Sequence, residues 1–214
     1  MLANALLRPA IEAAKVSTIE QWRVIHRIAD NAEPAVRRQI IKAVAAVRDG
    51  VKIAAVRRAL ESGDMDAAYN AIPWLDLEQI KPELSKTLRD IVERAAVASA
   101  KALATRSPIT FDVTNPKAIA WIREHSANLV TRIGDETKLA IRDKIRRAFE
   151  EGQAPVRSAR EIRELIGLTP RQVKAVENYR DLLLSEGRSL ADTERLAARY
   201  SRRQLNHRAR MIAR

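Results

Sequence analysis

The chain has 214 residues, a formal net charge of +12, 31% charged and 4% aromatic residues, six glycines and no cysteine. This length supports one sizeable core or two small ones, and the lack of cysteine excludes disulfides and thiolate metal sites, in keeping with a cytosolic origin. No apolar run approaches the roughly 20 residues needed to cross a bilayer, and Met1 to Leu7, interrupted by Arg8 and Pro9, does not make a signal peptide, so no membrane association is expected. Scarce glycine and aromatic residues beside abundant Ala, Arg, Leu and Ile favour helix over sheet, which predicts an all-α chain. Its helices must pack through small and medium side chains, so the expected form is an elongated multi-helix assembly. The positive charge predicts a polyanionic partner, either nucleic acid or an acidic protein.

In chain order, Ile11 and Ala14, then Ile19, Trp22, Ile25, Ile28 and Ala29 follow helical spacing, with Ser17 and Glu20 as a capping box at an internal start. Pro34 suits the first position of a new helix carrying Val36, Ile40, Ala43, Val44 and Val47, which Gly50 ends. Ile53, Val56 and Leu60 mark a helix stopped by Gly63, and Asp64 to Ile72 a short one closed by Pro73. Ile80, Leu84, Leu88, Ile91, Ala95, Ala98 and Ala102 make a long stripe, with a lead-in and a restart at Pro82. Thr105 to Thr114 is rich in residues that favour extended backbone and reads as a linker between an N-terminal helical region, 1–104, and a C-terminal helical domain, 115–214.

Beyond the linker, Asn115 caps and Pro116 opens a helix that Gly134 interrupts, and Asp135 starts the next, which Gly152 ends. A helix from Ser158 stops at Gly167. Thr169, Pro170 and Gln172 then form a capped restart that runs to about Gly187, and Ser189 with Asp192 opens the last helix.

That last helix carries the clearest candidate site. At about 100° per residue, Arg195, Arg199, Arg203, His207, Arg210 and Arg214 share one arc, interrupted by Leu196, while Ala198, Ser201, Leu205, Ala209 and Ile212 share another. One face can pack while the other meets phosphates; the plainer reading is a solvated basic helix paired with carboxylates elsewhere. The helix, Gly167-Leu168-Thr169-Pro170, helix unit superficially resembles a helix-turn-helix, with Arg171, Gln172 and Lys174 where base contacts are usually made. Trp22, Trp74 and Trp121 sit beside apolar helix positions and read as core or interface anchors, with Trp22 and Trp74 the candidates for partner contact. His26, His125 and His207 lie on separate helices without a metal-binding spacing, and neither a nucleophile elbow nor a phosphate-cradling glycine loop is present. No catalytic, metal or cofactor site is expected.

The stretch Phe111-Asp112-Val113-Thr114-Asn115-Pro116, followed by Ala118-Ile119-Ala120-Trp121, Ala148-Phe149-Glu150-Glu151-Gly152, Ile162-Arg163 and Ile166-Gly167-Leu168-Thr169-Pro170-Arg171-Gln172, resembles the phage Mu F-like minor head (head morphogenesis) proteins in order and spacing over the second half of the chain. The resemblance implies a minor structural protein of a tailed-phage head, made in the host cytoplasm and carried in the virion at the head interior or portal vertex. It implies portal protein or major capsid protein as partners, an oligomeric state set by them, contact with packaged double-stranded DNA, and no catalytic residues. Many members continue past the position of Arg214 into an Arg-Thr-Glu segment and a later His/Cys cluster, which implies a truncated or partly ordered product here. The competing expectations are a stand-alone nucleoid or regulatory DNA-binding protein, and a scaffold whose charge answers acidic proteins.

Overall fold

The structure, a computed structural model, describes residues 19–103 and 116–213. The expected linker at 105–114, the helix start near Ser17 and Arg214 lie outside the described residues. Those described form an all-α protein: α1 (Ile19–Gly50), α2 (Ile53–Glu61), α3 (Met65–Asn70), a 3-10 turn (Trp74–Leu77), α4 (Ile80–Leu103), α5 (Pro116–Glu150), α6 (Pro155–Leu165), α7 (Pro170–Ser185) and α8 (Leu190–Ala213).

Local chemistry explains most boundaries. Asp64 caps α3 by accepting from the Ala67 amide at 2.8 Å. Thr169 and Gln172 form a reciprocal capping box at the start of α7, with Thr169 N–H to Gln172 Oε1 at 3.1 Å and Gln172 N–H to Thr169 Oγ1 at 3.3 Å. Pro82 falls in the first turn of α4, where a missing amide costs no helical bond. α6 begins at Pro155 rather than at Ser158, using proline at its first position.

Two expected breaks are absent. α1 runs unbroken through Pro34, although an interior proline costs about 3 kcal/mol. Ala32, Val36, Ile40, Ala43 and Val47 are buried in steps of three and four on both sides of it, and that continuous seam outweighs the lost bond. α5 likewise continues through Gly134, because Ile122, Val130, Ile133, Ile141 and Ile145 keep one seam across it. A glycine inside a helix costs only about 1 kcal/mol relative to alanine.

The described residues divide into two compact units, neither of them a sequential half: the first takes 19–40, 80–103, 116–129 and 209–213, the second 41–79 and 130–208. Each draws on sequence from both sides of residues 105–114. In the first, Val36 and Ile40 of α1, Leu84, Leu88 and Ile91 of α4 and Ile122 of α5 are buried. Gln39 Nε2 donates to Thr87 Oγ1 at 2.7 Å, and the Ser85 and Ser126 hydroxyls meet at 2.5 Å. Ser126 gives its proton to the Arg123 carbonyl, so Ser85 is the donor of that pair.

In the second unit α2 packs on α3 and α6, and Val44, Val56, Ile141, Ile162, Leu165, Ile166 and Leu168 are fully enclosed. Its tightest point is Gly167, which ends α6 at φ +87° with Val44 Cγ1 2.5 Å and Leu205 Cδ1 3.0 Å from where a Cβ would stand. Gly63, at φ +76°, has nothing within 4 Å of that point. The substitution Gly167→Ala therefore adds a steric clash to backbone strain and should cost about 3 kcal/mol, whereas Gly63→Ala should cost about 1 kcal/mol. Urea denaturation of the two variants measures the difference.

Candidate nucleic-acid interface

Ser189 opens α8 by accepting from the Asp192 amide at 3.1 Å. Along the helix Thr193, Ala197, Ser201, Leu205 and Arg208 turn inward, while Arg195, Arg199, Arg202, Arg203, Asn206 and His207 are exposed. The expected basic arc within the second unit is thus solvent-facing at Arg195, Arg199, Arg203 and His207. Arg210, which belongs to the first unit, is exposed too.

These cations differ in what already holds them. Arg195 grips Asp192 at 2.7 Å, an exposed pair of small energetic weight. The Arg203 guanidinium lies 5.5 Å from the Tyr200 ring, itself 4.9 Å from the Tyr179 ring. Arg199, His207 and Arg210 make no ion pair among the described residues, so their charges remain available to a phosphate backbone.

The helix-turn-helix-like segment is partly committed to the fold. Gln172 spends its side chain on the capping box and on the Gln204 carbonyl, to which Nε2 donates at 3.1 Å. Arg171 and Lys174 are exposed.

Trp74 is half-buried, with its indole N–H on the Tyr69 carbonyl at 3.1 Å and its ring 5.2 Å from that of Tyr69. The Arg142 guanidinium lies over the Tyr69 ring at 4.5 Å, so Trp74 belongs to an internal aromatic and cationic clamp of the second unit. Trp22 falls in α1, and its side chain lies outside the described residues. Trp121 stacks on His125 at 3.7 Å in the first unit. Among the described residues no group of three or more His, Cys, Asp or Glu side chains could hold a metal ion.

Two buried charge systems do not stand out from the composition. Arg208 sits among exposed basic neighbours yet is buried, donating from Nη1 to the Gly167 carbonyl at 2.6 Å and from Nη2 to Glu136 Oε2 at 2.7 Å. Burial lowers its pKa, and Glu136 opposes that shift. The signal for it was present: Arg208 follows Ser201 by seven and Leu205 by three, on the packed arc. The second system joins Lys144 of α5, Glu161 of α6, and Glu177 and Arg180 of α7. Lys144 Nζ lies 2.8 Å from Glu161 Oε2 and 3.4 Å from Glu177 Oε1. Arg180 Nη1 and Arg157 Nε reach Glu161 at 2.9 and 2.7 Å, and Arg147 Nη1 reaches Glu177 at 2.6 Å. Lys144 occupies the apolar seam of Ile141, Ile145 and Ala148, which is its sequence signature.

Burial by itself would raise the Glu161 pKa, but Lys144, Arg180 and Arg157 together outweigh it and hold the value below that of an ordinary glutamate.

No family model matches the chain, nor does any curated protein or solved structure.

The division of α8 into buried and exposed arginines makes distinct mutational expectations. Arg208→Met should destabilise by about 3 kcal/mol, since it strips donors from buried acceptors and breaks an ion pair. Arg199→Met should change stability by no more than about 0.5 kcal/mol, and equilibrium urea unfolding compares the two. Because the folded Glu161 pKa is depressed, its contribution is present above the unfolded value near about 4.3 and is lost as pH falls through the folded value. Unfolding free energy measured from pH 6 to pH 3 should therefore drop in the acid range, with a shallower drop in Glu161→Gln.

Proposed function

We propose that this protein is a minor structural protein of a tailed-phage head, docking through its helices on the portal vertex or capsid interior and meeting packaged double-stranded DNA without base specificity. The observation that carries the DNA contact is the sorting of charge on α8: Arg199, Arg203 and His207 face solvent, while Arg208 of the same helix is withdrawn into the core. An exposed row of cations with few internal carboxylate partners suits a phosphate backbone, where affinity comes from counterion release rather than from reading bases. The assignment to a phage head, with its virion location, rests on the resemblance of the segments from Phe111 to Gln172. Portal or major capsid protein is then the partner that sets the oligomeric state, and the role is assembly rather than catalysis.

A stand-alone regulatory DNA-binding protein is the second reading, favoured by the exposed Arg171 and Lys174 at the start of α7. The engagement of Gln172 by its cap and by Gln204 removes one of three base-reading positions and weighs against it. Among the described residues, no helix is long and apolar enough to cross a membrane.

Duplex DNA of random sequence should bind at low salt with a log-log salt slope of roughly −4.5, as about five phosphate contacts require. Replacing Arg199, Arg203 and Arg210 by Glu should abolish that binding while leaving thermal unfolding in place. A footprint at one defined site would transfer the assignment to the regulator. Localisation in purified particles, with and without DNA, tests the head assignment, and a position away from portal and head interior removes it.

A further inference from the structure

Between α5, α6 and α7 the second unit holds a cavity of about 300 Å3, at the lower end of the range for ligand pockets. Its wall contains the charge cluster of Lys144, Arg147, Arg157, Glu161, Glu177 and Arg180. These side chains bring four cations to two carboxylates. The remaining charges of the lining, Glu151, Asp181 and Lys174, are all exposed, so the whole wall carries five cations against four carboxylates, with the cationic surplus concentrated in the buried cluster. A smaller neighbouring cavity of about 140 Å3 has the opposite balance, with Arg160 and Arg180 against Glu161, Glu164 and Glu194.

The hydrogen bonding of the larger site is incomplete on the donor side. Lys144 is satisfied by Glu161, Glu177 and the Gln153 side-chain oxygen at 3.1 Å. Arg180, 8% exposed at its side chain, gives Nη1 to Glu161, while its Nε is buried with no hydrogen-bond partner. Arg147 and Arg157 are each fixed to a carboxylate of the cluster, and Lys174 has no partner among the described residues. A buried guanidinium N–H without an acceptor costs more than an ordinary missing hydrogen bond. That Arg180 atom is closed off from the cavity, and the donors open to a ligand are the guanidinium N–H groups of Arg147 and Arg157 that their ion pairs leave free; an oxyanion accepts from these and offsets the excess charge. Phosphate is the class that fits, since guanidinium forks present several donors to tetrahedral oxygens and the two glutamates already hold those forks in place.

We infer that this cavity is a binding site for a phosphate group, either free phosphate or the end of a phosphomonoester, separate from the exposed cations of α8. Calorimetric titration of the full chain with inorganic phosphate, against chloride at matched ionic strength, should show saturable binding of one phosphate per chain. Lys174→Glu, at an exposed position without partners, should weaken that binding at least tenfold with thermal unfolding in buffer unchanged. Lys42→Glu makes the same charge change at an exposed site remote in sequence from the cavity lining and should leave binding within twofold. A nucleoside 5′-monophosphate that binds more tightly than inorganic phosphate, with the unphosphorylated nucleoside inert, identifies the ligand as an organic phosphomonoester; equal or weaker binding identifies free phosphate. Absence of saturable phosphate binding, or equal weakening by Lys174→Glu and Lys42→Glu, overturns the site.

Discussion

Where α6 ends, the carbonyls of Glu164, Ile166 and Gly167 have no donors left within the helix, and the chain around them is enclosed by Val44 and Leu205. Buried carbonyls need partners, and two arginines supply them. Arg48 of α1 gives Nε and Nη2 to the Ile166 carbonyl at 3.0 and 2.8 Å, and Nη2 also reaches the Glu164 carbonyl at 2.8 Å. Arg208 of α8 takes the Gly167 carbonyl. Both are cations set against the negative end of a helix, which adds to the hydrogen bonds. Burial lowers the Arg48 pKa to about 10, so it remains charged at neutral pH. Ser201 completes the arrangement by donating to the Glu164 carbonyl at 2.5 Å. In this way one turn fixes the register of three helices that are far apart in sequence. Gly167 is required there both for its positive φ and for the missing Cβ.

The same constraint divides the arginines by role. Arg48 and Arg208 are consumed by backbone acceptors and cannot serve a partner without dismantling the core. Arg199 and Arg203 lie on the opposite side of α8 because Ser201, Leu205 and Arg208 must face the α6 turn. The direction of the basic face is thus a consequence of how the turn is capped. A positive net charge alone would not have distinguished these two populations. Spacing along the helix does, once the packed arc is known to include Arg208 as well as apolar residues.

Much of the local structure was legible because it depends on neighbouring residues. The Asp64 cap, the Thr169 capping box, and the stops at Gly63, Gly152, Gly167 and Gly187, all at positive φ, follow from chemistry within a few positions. Pro34 and Gly134, each inside an unbroken helix, show the opposite case. Their local preference is to end a helix, and burial of a seam that continues on both sides prevails. The grouping of segments into units was not legible either, since nothing near residues 41–79 announces that they pack with 130–208. The basic face could be drawn from angular spacing alone. The cavity cluster could not, because Lys144, Glu161, Glu177 and Arg180 come together only through the packing of three helices.

That cluster addresses a difficulty created by composition. Helix faces lined by alanine, valine, isoleucine and leucine approach closely but discriminate weakly between neighbouring registers, since a slide of one turn exchanges one small apolar side chain for another. Buried charges discriminate sharply. Lys144 must meet Glu161 and Glu177 together, and Glu161 must also meet Arg157 and Arg180, so displacement of any one helix strands a charge in the interior. The net stabilisation from such pairs is small after desolvation, but the penalty for breaking them is large. Specificity of packing therefore comes from the charges and cohesion from the apolar seams. The surplus of cations in the cluster exceeds what two glutamates neutralise, which leaves this unit with more cationic donors than the packing of its helices requires.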